Sequence, residues 1–168
     1  MENEQNQDNM ATKPIAEHEW LNNLVGEWKT RSEMMMGPDQ PPQISEGRET
    51  VTSLGGLWAF GEGTAEMPEG GGMVYKTGIG YDVSFKEYRG FWIASASSHL
   101  WKYTGEMSED KKTLTLSCEG PSFEVDGETA NYRDVHELID ANNRTMTSYG
   151  EQPDGSWMQF MKCHYTRV

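Results

Sequence analysis

The feature that most constrains this chain is a period of two that begins at Trp28 and is reset at short, nearly regular intervals by turn residues. In the first run Trp28, Thr30, Ser32 and Met34 alternate with Lys29, Arg31 and Glu33. Successive side chains of a strand point to opposite faces, so this run has one charged side and one half-buried side. Further strand-like runs are predicted over 44–53, 57–67, 73–82, 88–97, 100–107, 114–119, 131–140, 144–150 and 156–166. Between them stand Gly55-Gly56, Gly70-Gly71-Gly72, the stretch from Asp82 to Lys86, that from Glu109 to Lys112, Asp126-Gly127, Asn142-Asn143 and Pro153-Asp154-Gly155. All are turn chemistry, and their spacing is close to the roughly 8–12 residues of an all-β sandwich or barrel.

A meander of roughly ten short strands leaves two unpaired edges, and an open sheet of that width curls or splits. Closure removes the edges. The expected fold is therefore all-β, a closed antiparallel up-and-down barrel of about ten strands preceded by a short N-terminal helix. The inner phases fit an enclosed space. Met73, Tyr75, Thr77, Ile79 and Tyr81 share one face, Tyr88, Gly90, Trp92 and Ala94 a second, His99, Trp101 and Tyr103 a third, and Leu114, Leu116 and Cys118 a fourth. The last run offers Trp157, Gln159, Met161, Cys163 and Tyr165. These faces mix aromatic, hydroxyl and thioether groups, as suits a barrel around a cavity better than a solid aliphatic core.

The helix is predicted from Thr12 or Lys13 with Pro14 in its first turn, where a missing N–H is harmless. Trp20, Leu21 and Leu24 form its narrow apolar face, and Gly26 is placed to end it. It is expected to plug one end of the barrel, with His18 exposed. A single barrel domain is expected over 13–168 behind a flexible acidic tail over 1–12. Low hydrophobicity with a net charge of −13 could signal disorder, but six Trp and seven Tyr supply ample surface to bury. The same charge repels nucleic acid and anionic membranes, so neither is expected as a partner. The tail has no signal-peptide pattern and no run reaches membrane-spanning length. Cys118 and Cys163 stand far apart without a metal or redox motif, which reads as reduced thiols and a cytoplasmic protein.

A short helix running into Gly26-Glu27-Trp28 resembles the G-x-W opening of the calycins, the superfamily of lipocalins and fatty-acid-binding proteins. Leu54-Gly55-Gly56, then Gly78-Ile79-Gly80-Tyr81-Asp82 and Gly90-Phe91-Trp92-Ile93, are similar to a bacterial family of uncharacterised lipocalin-like proteins placed among the calycins. The resemblance runs from about Glu17 to the C-terminus. It implies a barrel whose Trp28 closes one end with an arginine of the last strand, here Arg167, packed on it. It implies no activity. The sequence departs from the haem-binding nitrobindin-like barrels, having Lys29-Thr30-Arg31 after the G-x-W instead of a glycine-rich continuation. It also lacks the paired arginines typical of fatty-acid carboxylate recognition.

No catalytic residue, metal-ligand set or cofactor is assigned. His18, His99, His136 and His164 lack metal-ligand spacing, and no nucleophile elbow or phosphate loop occurs. Gly78-Ile79-Gly80 is read as close packing of strands and Gly70-Gly71-Gly72 as a hairpin turn. Met34-Met35-Met36 is either a pliable rim of the mouth or plain packing. Trp58, Trp92, Trp101 and Trp157 are core candidates first and ligand walls second. A cavity lining is expected from Tyr75, Trp92, Trp101, Tyr103, His136 and Met161, which are the candidate ligand-binding residues.

Three functions follow. The first is a binding barrel for a small, mostly apolar molecule with one or two polar groups. The second is an enzyme using acid–base chemistry in the cavity, with His136 and Asp134 or a tyrosine as the polar pair. A haem-binding barrel through His164 is a variant of the first, although the strand phase turns His164 outward. The third is a structural homo-oligomer, barrels pairing through an exposed apolar strip.

Overall fold

The computed structural model describes residues 11–67 and 69–168, so most of the tail assigned to 1–12 lies outside the described residues. Ten antiparallel strands close into one barrel. They are β1 (Gly26–Met34), β2 (Gln43–Leu54), β3 (Trp58–Glu66), β4 (Gly72–Asp82), β5 (Glu87–Ala94), β6 (Ser97–Met107), β7 (Thr113–Pro121), β8 (Thr129–Asp140), β9 (Asn143–Glu151) and β10 (Trp157–Arg167). Each pairs with its sequence neighbours, and β1 pairs with β10, Trp28 opposite Arg167 and Met34 opposite Met161. Among the described helices none is long and apolar enough to cross a membrane.

Every predicted run is a strand, with shifted ends. The largest shifts are at the β5–β6 connection, where β5 stops at Ala94 and β6 starts at Ser97 around a turn through Ser95 and Ala96 that contains no Gly, Pro or Asn. Ser95 is held there by β4, since its N–H donates to the Val74 carbonyl at 2.8 Å and its hydroxyl accepts from the Val74 N–H at 3.0 Å. The β2–β3 turn behaves as its sequence requires. Gly55 and Gly56 have φ of 61° and 72°, and Leu57 N–H donates to the Leu54 carbonyl at 3.1 Å, a type I′ hairpin.

At the N-terminus the structure corrects the sequence reading. Helix α1 spans Ala16–Trp20 and passes into a 3₁₀ turn at Leu21–Asn23, starting after extended Ile15 rather than at Pro14. Gly26, with φ of +134°, is the first residue of β1 and not the end of the helix. His18 is 1% exposed instead of solvent-facing. Its Nδ1 accepts from the Ile15 N–H at 3.1 Å and its Nε2 donates to the Tyr81 carbonyl at 3.0 Å, so it bridges the helix to β4. The polar tips of neighbouring aromatics also fasten this end. Trp20 Nε1 donates to the Lys111 carbonyl at 2.7 Å, and the Tyr88 hydroxyl to the Glu17 carbonyl at 2.8 Å. The helix thus plugs one end of the barrel, where Trp20, Leu21, Leu24, Trp28, Leu114 and Leu116 form the dry core. Arg167 lies 4.2 Å from the centroid of the Trp28 ring and donates to the Val25 carbonyl at 2.7 Å, as the resemblance implied.

Two tryptophans are not core residues. Trp58 is 37% exposed on the outer face, its ring over Gly80, because the inner phase of β3 belongs to Ala59, Gly61 and Ala65. Trp157 and Gln159 also lie outside. A bulge between Gln159 and Met161 inserts Phe160 and reverses the alternation, so the pattern valid for Met161, Cys163 and Tyr165 fails before it. Trp157 instead stacks under Arg133, 3.8 Å from ring centroid to guanidinium.

Candidate ligand-binding cavity

Between the helix-plugged end and the opposite mouth the barrel encloses a cavity of about 520 Å³. One wall is nearly bare. β3 presents Ala59, Gly61 and Ala65 inward, and side chains from adjacent strands occupy the relief. A Cβ at Gly61 would meet Thr77 Cγ2 at 2.7 Å, and one at Gly63 would run into the Tyr75 ring. At the floor stand Leu24, Val51, Ile79 and Leu116. At the mouth Met34, Met67, Met73 and Met161 face an aromatic group of Phe123, Tyr132, Phe160 and Trp101. Met35 and Met36 stay on the surface.

All six residues expected from the sequence, Tyr75, Trp92, Trp101, Tyr103, His136 and Met161, line this one cavity. Tyr75 stacks on Trp92 at 5.9 Å between centroids and donates its hydroxyl to Glu49 Oε2 at 2.8 Å. Tyr103 donates to Asp134 Oδ2 at 2.6 Å, and the Ser148 hydroxyl donates to Asp134 Oδ1 at 2.5 Å. Trp101 packs edge-on against Tyr132 at 5.3 Å, in space left by Gly120. Met161 stands opposite Ser148 and Met34. His136 lies in the wall with Nδ1 buried and without a hydrogen-bond partner.

The pattern of protonation follows from burial. Desolvation, then the positive charge of Arg144, pushes His136 down to about 3, so its imidazole is neutral at physiological pH. Such a group is a poor proton acceptor, which counts against the acid–base pair proposed from sequence. Burial raises Asp134, while its two hydroxyl donors pull the other way. Tyr75 and Tyr103 are raised far above the usual phenol range by burial and then by their carboxylate partners. Both cysteines are free. Burial pushes the Cys118 thiol up to about 12 and raises Cys163, so neither is a thiolate nucleophile at neutral pH.

Sequence reasoning did not single out the buried ion pair of the cavity wall. Glu49 and Arg144 form an ion pair at 2.6 Å with side chains 5% and 3% exposed. The guanidinium lies 3.6 Å from the Tyr165 ring centroid and 4.7 Å from that of Trp28. The signal was present: Glu49 shares its inner phase with Val51, and Arg144 with Met146 and Ser148, so each is a charge on a buried face. His164 is exposed on the outer face of β10 and cannot reach a haem in the cavity. Among the described residues no cluster of three His, Cys, Asp or Glu side chains could hold a metal ion.

Residues 13–167 match the family described as "Protein of unknown function (DUF1579)". No curated protein matches the chain significantly. Among solved structures, the S-type phycobiliprotein lyase CPES from Guillardia theta is similar at a TM-score of 0.51 and 13% identity, over 92% of this chain and 98% of the lyase. EF1p2_mFAP2b bound to DFHBI gives a TM-score of 0.49 and 11% identity, over 91% of this chain and 100% of that one. A redesigned β barrel gives 0.48 and 11%, over 89% and 96%. At such identities the likeness to the lyase concerns the barrel fold alone.

Proposed function

The chain belongs to this DUF1579 family of unknown function, and from that premise we propose that its barrel binds a small, mostly apolar molecule. One observation carries the reading. The barrel centre holds an enclosed space of about 520 Å³ whose floor and mouth are aliphatic, thioether and aromatic, with polar groups gathered midway. Ligand sites have that composition, and their volumes begin near ~300 Å³. The candidate binding residues remain Tyr75, Trp92, Trp101, Tyr103, His136 and Met161. Binding is favoured over acid–base catalysis because His136 stays neutral down to about pH 3. The Trp28–Arg167 contact supports a place among the calycins, and two free thiols fit a reducing, cytoplasmic setting.

The test is native mass spectrometry of protein purified gently from cells, followed by thermal-shift screening of small apolar compounds. A ligand at 100 times its Kd stabilises by about 2.7 kcal/mol, readily seen as a rise in Tm. An adduct that disappears on mild denaturation, or a compound that raises Tm with saturation, supports the reading. Unliganded protein together with a flat screen would refute it.

A further inference from the structure

Glu49, Glu66, Asp134 and Arg144 are the carboxylate and guanidinium side chains that line the cavity. Arg144 is the cation of the cavity wall, and it is already engaged: its Nη2 donates to Glu49 at 2.6 Å, and its guanidinium packs on the Tyr165 and Trp28 rings. That pair is neutral as a unit. Asp134 remains. Its two oxygens accept from Tyr103 and Ser148, the pattern of an ionised carboxylate, and both partners are uncharged hydroxyls. Glu66 also lines the cavity. Outside, a net charge of −13 repels any approaching anion. Two groups in the wall keep a buried, unpartnered polar atom: the neutral imidazole of His136 at Nδ1, and Arg144 at Nε, whose charge Glu49 already offsets.

Resting on the binding reading above, we propose that this cavity is an anion-rejecting site, taking uncharged, mostly apolar ligands whose head is a neutral hydroxyl, amide or N–H group set against His136. It turns away carboxylates and sulfonates of the same body. Neutral imidazole can serve a hydroxyl or amide as acceptor or donor, depending on tautomer. An anionic head in that place meets Asp134 without a free cation to offset it. At a separation of about 8 Å and an effective dielectric constant of about 20, that repulsion weakens binding by roughly 30-fold.

Two matched pairs of probes test the inference. N-phenyl-1-naphthylamine and 8-anilino-1-naphthalenesulfonate share one aromatic body and differ by a sulfonate; decan-1-ol and decanoate share a chain. The neutral naphthylamine is expected to bind with enhanced fluorescence, and decanol to displace it at roughly 30-fold lower concentration than decanoate. The sulfonate is expected to compete as poorly as decanoate. In Asp134→Asn, with near-UV circular dichroism unchanged, the roughly 30-fold gap between decanol and decanoate should close almost entirely. If neither neutral probe binds, the binding reading itself fails and takes this inference with it. If the neutral probes bind but decanoate displaces as well as decanol, only the inference is overturned. A folded Asp134→Asn protein with an undiminished gap overturns it as well; should that variant not fold, the matched pairs on the unaltered chain decide.

Discussion

His136 should leave a measurable signature in the pH dependence of stability. In the folded chain it protonates only near pH 3, whereas an unfolded histidine protonates near ~6.5. Between those values the unfolded chain holds a proton on His136 that the folded chain refuses. The unfolded state therefore binds more protons, and stability contributed by this site is complete above pH ~6.5 and is lost as pH falls toward 3. The slope is about 1.4 kcal/mol per pH unit, or about 2.7 kcal/mol between pH 6.5 and 4.5. Asp134 works in the opposite sense, since a carboxylate raised by burial is relieved by protonation as pH falls through its folded pKa. A comparison with His136→Leu separates the two, because Asp134 titrates in both proteins. Urea unfolding followed by tryptophan fluorescence would be run at pH 7 and pH 4.5. The variant should gain about 2.7 kcal/mol on the parent across that interval. A stability difference that stays constant with pH would show that His136 is solvated or partnered, and would refute the burial argument.

Three further variants probe the polar wall and the bare one. Arg144→Met strands Glu49 at 5% exposure and should cost about 3–5 kcal/mol, while the double change Glu49→Leu, Arg144→Met should recover most of that loss in urea unfolding. Gly63→Val drives a side chain into the Tyr75 ring; overpacking of about 1–3 kcal/mol and weakened binding of the neutral naphthylamine are expected, whereas unaltered binding would mean Tyr75 has no part in the wall.

Strand phase was legible wherever alternation ran unbroken, and that was enough to bring Tyr75, Trp92, Trp101, Tyr103, His136 and Met161 to one cavity from β4, β5, β6, β8 and β10. It failed where a backbone irregularity carries no side-chain mark. The bulge at Phe160 sits in a run of Trp, Met, Gln, Phe and Met with no glycine to announce it, so Trp157 and Gln159 were assigned to the wrong face. Trp58 misled for another reason. Its size suggests burial, but its strand gives the interior only small residues, and the space they vacate is what other strands use. His18 shows the limit of helix periodicity, because its burial comes from a carbonyl on β4 that is distant in sequence. The Glu49–Arg144 pair was visible as two charges on inner phases, but only closure of the sheet lets these side chains of β2 and β9 meet at 2.6 Å across the interior.

The inserted residue in β10 has a consequence for how the cavity could be resized. Where alternation is regular, as along β9 with Arg144, Met146 and Ser148, a strand contributes every second residue to the interior, so changing capacity means exchanging one side chain for another. Here Phe160 and Met161 enter in succession, and the half of the strand carrying Cys163 and Tyr165 is offset by one position from the half carrying Trp157. Shortening the chain by that single residue would take an aromatic ring out of the entrance and restore strict alternation. The deep half, paired to β1 through Trp28 and Thr30, would keep its register. Length, and not only substitution, is thus a means by which this barrel can widen its opening while its floor stays fixed.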